Sequence, residues 1–405
     1  MTQTAFTGAG SPTNATLTSS TMYGAFGAAS ATSLSDTTET DFQMKFRQGT
    51  ATLANLYAFI GIMTQTNNAT LTVRQNTANS TMTTTITAST TGTYTDLTHT
   101  VSCADTDLID YALTTGAGAG NIMLVGLGVQ IQTSGQVGTT VAGIGAQAGS
   151  TSRFYNFGNS LTQQLEGADS AILLESATLS NLQSVISVNS STGFTSVLRK
   201  NTTGSYANAN QSNVVGSSAT GLFEDTTHTD SLAATNLYNL NKPAASASAT
   251  LSAISLKYLG GTSGRAVAQT VSSSGLTSGV TRFTGVFGVM MNSTEAQTQT
   301  VMPGVATFSV LSVNLNSNSS TSAMAVVFRN GAVTKNESVT VTASTTGIFQ
   351  DLTNTDSVAA NDKICYQASG SNNSTNTFTT FAALVTTSGA GPSGANQNLM
   401  SMGVG

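Results

Sequence analysis

TASTTGTYTDLTHTVS, residues 87–102, and TASTTGIFQDLTNTDS, residues 342–357, are identical at eleven of sixteen positions. A weaker copy, GSSATGLFEDTTHTDS, starts at Gly216, almost midway between them. Other landmarks keep the same order around each copy. Upstream lie the Arg-bearing runs TLTVRQN, TSVLRKN and AVVFRNG, with Arg74, Arg199 and Arg329. Before those come ATLANL, ATLSNL and ATFSVL, from Ala51, Ala177 and Ala306, and before those the pairs Phe26-Gly27, Phe157-Gly158 and Phe287-Gly288. Corresponding points are 125 to 131 residues apart. Four ordered landmarks at one period mark a triplicated unit. The period is far longer than the roughly 20–50 residues of a solenoid repeat, and each unit is large enough to own a core.

Strand signals within a unit are short and alternating. SVTVTAS from Ser338 places Val339 and Val341 on one face and Thr340 and Thr342 on the other. Turn residues interrupt such runs every 8–12 residues or so, the spacing of a sandwich or barrel. About eight strands per unit suit a jelly roll. The expected fold is all-β: three tandem sandwiches at 23–135, 136–262 and 263–390, between an N-terminal arm (1–22) and a C-terminal tail (391–405). A helical turn is expected after Leu161.

The motif itself reads as turn chemistry. Gly92, Gly221 and Gly347 supply positive φ after a strand end. Tyr94, Phe223 and Phe349 follow and are expected to plug the end of the sandwich. Asp96, Asp225 and Asp351 come next, short carboxylates able to accept backbone N–H bonds and hold a turn.

Composition excludes several functions. Of 405 residues only 8% are charged, against about 25% in an ordinary soluble domain, and the net charge is −5. There is no basic stripe for nucleic acid. No stretch approaches the ~18 apolar residues of a membrane helix, and the N-terminus has neither the basic nor the apolar region of a secretory signal; synthesis in the cytoplasm is the expectation. Cys103 and Cys365 occupy different places in their units, so they predict buried thiols and no disulfide framework. The two histidines, His99 and His228, are equivalent, with Asn354 in the third place; neither has ligand partners at metal spacing. Asp105, Asp107 and Asp110 form a weak Ca²⁺ candidate without the D-x-D-x-D-G loop. No nucleophilic triad or paired acids recur, and the Gly-rich GAGAGN lacks a P-loop lysine. No enzyme and no cofactor are expected. For the three arginines, three readings stay open: pairing with the repeated Asp of the same unit, a contact between domains or subunits, or plain exposure.

The run VVFRNG followed by TVTASTTGIFQDLTNTDSVAANDKICYQ resembles a motif of β-rich structural proteins of tailed bacteriophages. That resemblance implies a virion protein such as a capsid decoration or cement protein, a head fibre or a tail appendage. Its implied partners are the major capsid protein or tail components, with self-association and no nucleic acid or membrane. A host-surface glycan adhesin and an extracellular filament subunit are the alternatives.

Overall fold

The computed structural model describes residues 3–9, 15–16, 21–26, 37–47, 49–116, 120–133, 139–143, 151–157, 162–163, 166, 170–202, 204–245, 247–260, 265–270, 275–276, 280–286, 291–302, 304–370, 376–387 and 397–398. Phe287, the helical turn expected after Leu161, and residues 391–396 and 399–405 of the expected tail lie largely or wholly outside them.

The chain is all-β, and each unit repeats one topology. In unit one the first sheet runs, neighbour to neighbour, Gln3–Ala9, Asn121–Thr133, Ala51–Met63 and Gly92–Asp96 with Val101–Cys103. The second runs Thr21–Ala25, Leu108–Thr115, Ala69–Gln75 and Ala78–Ile86. Numbered along the chain, the sheets are therefore 1-8-3-6 and 2-7-4-5, the strand order of a jelly roll. Unit two repeats it with Thr139–Gly143, Ala249–Gly260, Ala177–Asn189 and Gly221–Leu232 in the first sheet. Its second sheet holds Arg153–Tyr155, Leu237–Lys242, Phe194–Asn201 and Tyr206–Val215. Unit three does so with Arg265–Thr270, Asn376–Thr387, Ala306–Asn318 and Gly347–Gln350 with Thr355–Val358, against Thr281–Gly285, Lys363–Ser369, Met324–Asn330 and Val333–Val341.

Gln3–Ala9 falls in the segment expected as an arm. It pairs along its whole length with Asn121–Thr133 of the same chain, and Thr139–Gly143 and Arg265–Thr270 hold the same place in the other units. It is the first strand of unit one.

The strands form for the reason their alternation suggests. In Val333–Val341, Val339 and Val341 are buried while Ser338 and Thr340 are exposed. Side chains from both sheets meet in three cores. One is built around Leu53, Leu71, Tyr111 and Val129, one around Tyr155, Leu182, Leu198 and Leu240, and one around Phe308, Phe328, Tyr366 and Phe381. Phe308 stacks on Phe328 at 4.8 Å in the last of these. Cys103 and Cys365 are buried free thiols. The eighth strand of unit two, ATLSAISLKYLG, is buried on both faces over most of its length. A strand covered on both sides needs a second layer, and a neighbouring unit supplies it.

Candidate functional site

The repeated motif sits where the two sheets of a unit meet at their edge. In each unit strands four and five are joined by a hairpin whose register slips at one point. The span 79–83 faces 72–74, 208–212 faces 197–199, and 334–338 faces 327–329. The extra residues are a bulge, and a bulge frees backbone N–H groups from the ladder. The repeated Asp accepts one of them. Thr83 N–H donates to Asp96 at 3.0 Å, Ser212 N–H to Asp225 at 2.9 Å and Ser338 N–H to Asp351 at 2.9 Å. The other carboxylate oxygen closes the turn on the sixth strand. It accepts from Thr98 and His99, from Thr227 and His228, and from Thr353 and Asn354, each N–H at 3.0–3.1 Å. One acid thus clamps sheet two to sheet one. Burial works against its charge, but these donors outweigh burial and hold Asp96 and Asp225 at about 2, with Asp351 also lowered.

The histidines join the same clamp. His99 and His228 Nδ1 lie 2.9 Å from the carboxylate, and Asn354 Nδ2 takes that place, also at 2.9 Å, in unit three. An amide replaces an imidazole because only one donor is needed there. The turn before the motif strand places Ser89, Ser218 and Ser344 at positive φ, and then Gly92, Gly221 and Gly347 at φ 138°, 100° and 108°. Tyr94, Phe223 and Phe349 are half-buried and pack inward on the core of their own unit.

The arginines pair within their units, but with a different acid. Arg74 Nε donates to Glu39 at 2.6 Å, Arg199 to Glu166 at 2.7 Å and Arg329 to Glu295 at 2.8 Å. Nη2 reaches the second oxygen at 3.0, 3.0 and 3.2 Å. The fork is bidentate in all three. The repeated Asp is already engaged by backbone amides, which explains why it is not the partner. The signal in the sequence was a Glu placed 33 to 35 residues before each Arg.

The three acids of the weak Ca²⁺ candidate go separate ways. Asp105 accepts from Arg47 and the Gly49 N–H. Asp107 holds a turn through Gln75, Asn76 and the Ala104 N–H. Asp110 is fully buried on Leu108–Thr115, and burial, aided by the Glu39 charge, pushes its pKa to about 8. Among the described residues no group of three His, Cys, Asp or Glu is placed to hold a metal. Asn236 of unit two stands where units one and three have Asp107 and Asp362, and it accepts the Ala233 N–H at 2.9 Å as Asp362 accepts that of Ala359 at 2.8 Å.

The units also touch one another, and always in one sense. The segment before the third strand of one unit docks on the first sheet of the next. From unit one to unit two, Lys45 N–H donates to Gln183 Oε1 at 2.9 Å and Gln183 Nε2 returns a bond to Lys45 O at 3.0 Å. Ser252 Oγ donates to Asp41 O at 2.5 Å. Val185, Ala253 and Leu222 of unit two extend the first core. From unit two to unit three, Ile172 and Leu174 form an apolar cluster with Ala382 and Leu384, flanked by Leu237, Val310 and Ile348, and Thr380 Oγ1 donates to Ser170 O at 2.5 Å. From unit three to unit one, Lys363 Nζ lies 5.3 Å from the Phe59 ring centroid, and Thr300–Val301 adjoins Asn121–Thr133. These are equivalent surfaces: Lys45, Ile172 and Val301 hold one register position against the seventh strand, and Leu222 and Ile348 hold one position of the motif strand. Like contacts from one to two, two to three and three back to one close a ring.

No protein-family model matches this chain, and no curated protein is similar to it. A solved structure described as "The Triple Jelly Roll Fold and Turret Assembly in an Archaeal Virus" aligns with it at a TM-score of 0.21 and 10% identity, covering 88% of this chain and 82% of that one.

The motif strand therefore serves two partners. Its inward side chain, Phe223 in unit two, fills the core. Its outward side chains, Leu222 and Glu224, meet the preceding unit. The repeat pointed to the aromatic and to the Asp; the outward positions vary between units and carry no repeat signal.

Proposed function

We propose that this chain is a non-enzymatic structural protein of a virion, most specifically one that decorates and reinforces the outside of a phage capsid, with the major capsid protein as its partner. The observation that carries the reading is the ring. Three jelly rolls closed by three like contacts make one chain into a block with the shape of a trimer. Such a block meets three equivalent neighbours on a shell at once. The chemistry that recurs in all three units goes into turns and the clamp on the bulge, as a building part requires, and the chain is low in charge and rich in Thr, Ser and Asn. The resemblance of VVFRNG and TVTASTTGIFQDLTNTDSVAANDKICYQ to phage structural proteins supports the same reading.

Electron microscopy of the native particle tests it. The expected result is threefold-like density for this chain on an icosahedral shell. Density confined to a tail or fibre would reject the capsid role in favour of an appendage. Density along a free filament would reject the virion role altogether.

A further inference from the structure

The three junctions share a plan but differ in chemistry. Lys45 of unit one is replaced at its equivalent positions by Ile172 and Val301, and Arg47 by Leu174 in unit two. On the receiving motif strand Glu224 of unit two is replaced by Gln350 in unit three and Thr95 in unit one. Glu224 is nearly enclosed, with its side chain 7% exposed. It takes Arg47 on both oxygens, Nη2 at 2.5 Å, and Lys45 Nζ at 3.2 Å, while Arg47 Nη1 also reaches Asp105 at 3.1 Å. Among the described residues this is the junction at which opposite charges meet; the junction from two to three is an apolar cluster.

We propose that this difference is an order code, with Lys45, Arg47 and Glu224 as the residues that decide which unit docks on which. Three similar units can close a ring in two senses. In the sense observed, cations meet the acid and Ile172 and Leu174 meet Ala382 and Leu384. In the reverse sense unit three docks on unit two and sets Val301 against Glu224, leaving a shielded carboxylate without a cation. Unit one then docks on unit three and sets Lys45 and Arg47 among Ile348, Ala382 and Leu384. The first mismatch buries a carboxylate without a partner, which costs far more than a matched ion pair gains, and the second sets Lys45 and Arg47 against aliphatic side chains with Asp105 alone left to pair with Arg47. The apolar junctions cannot discriminate this way, because one aliphatic patch accepts another. Chains with repeated domains are prone to misassembly of that kind.

The test is refolding of the full chain from denaturant. Monomer yield is read by size exclusion with light scattering, and unit contacts by amine cross-linking with peptide mass spectrometry. Glu224→Lys is expected to lower the monomeric yield about tenfold or more. The reciprocal variant carrying Lys45→Glu and Arg47→Glu with Glu224→Lys, and with Asp105→Asn so that no like charge faces position 47, is expected to restore it, which lost packing would not allow. If Glu224→Lys fails to fold, Glu224→Gln keeps the shape without the charge; it is expected to yield monomer mixed with species showing altered inter-unit cross-links. Native yield and native cross-links in both Glu224→Lys and Glu224→Gln would overturn the proposal and assign the order to the tethers between units.

Discussion

Equivalent positions in three copies of one fold act as a mutation series already written into the chain. Glu337, fully buried, has Oε1 accepting the Leu311 N–H at 3.0 Å; in unit two Gln211 occupies that place and accepts the Leu182 N–H at 3.1 Å. Unit one has Met82, also buried. Glu337 is the costly version, since burial, with the charges of Asp356 and Asp351, pushes its pKa to about 8. The sign follows from linkage. The folded state holds a proton that the unfolded chain loses near pH 4.3, so the contribution of Glu337 is greatest below about pH 4 and declines until about pH 8. Glu337→Gln is therefore expected to raise stability at pH 8 by on the order of a few kcal/mol and to flatten that slope. Denaturant unfolding of both proteins from pH 4 to pH 9 checks it; parallel curves would refute a protonated Glu337. Neither the burial of Glu337 nor that of Asp110 was legible in sequence, because a carboxylate in an alternating strand looks the same whether its face meets solvent or a bulge.

At the scale of elements, the bulge in the fifth strand and the turn on the sixth are one device. The bulge frees amide donors, and the Asp of the turn accepts them; neither is stable buried without the other. Where an adjoining amide is also freed, Asp230 and Asp356 accept from Asn210 and Gln211, and from Asn336 and Glu337. Unit one has Val101 in that place and uses the Ser80 hydroxyl for the Met82 N–H. Because Asp96 and Asp225 titrate at about 2 in the fold, their stabilisation is full above the unfolded value near 4 and is lost as pH falls through 2. Asp225→Ala is expected to cost about 2 kcal/mol at neutral pH, with the difference from the native chain vanishing toward pH 2. Thermal unfolding between pH 2 and pH 7 measures it, and a cost independent of pH would separate the effect from the carboxylate. The Asp, the Gly and the aromatic of this device were visible as a repeat. The bulge was not, since its residues Asn79 to Thr83, Asn208 to Ser212 and Thr334 to Ser338 differ from copy to copy and only the backbone repeats.

For the whole molecule the consequence is mutual dependence of the units. Gln183, Val185 and Ser255 of unit two are all but inaccessible, although they lie on the outer face of a sheet that an isolated sandwich would expose. Residues 136–262 expressed alone are expected to self-associate or to remain unfolded; a monodisperse, folded monomer by light scattering would show that the junctions are dispensable. The triplication, the all-β class and the strand count per unit were determined by the sequence itself, because alternation and turn residues act over a few neighbours and a period survives wherever the local geometry must be rebuilt. The partner of each arginine, the pairing of Gln3–Ala9 and the ring were decided only by tertiary structure. Those depend on which faces meet across more than thirty residues for the arginines and more than a hundred for the strand and the ring, and at the junctions Lys45, Ile172 and Val301 fill one place with three chemistries, so no repeat could reveal it.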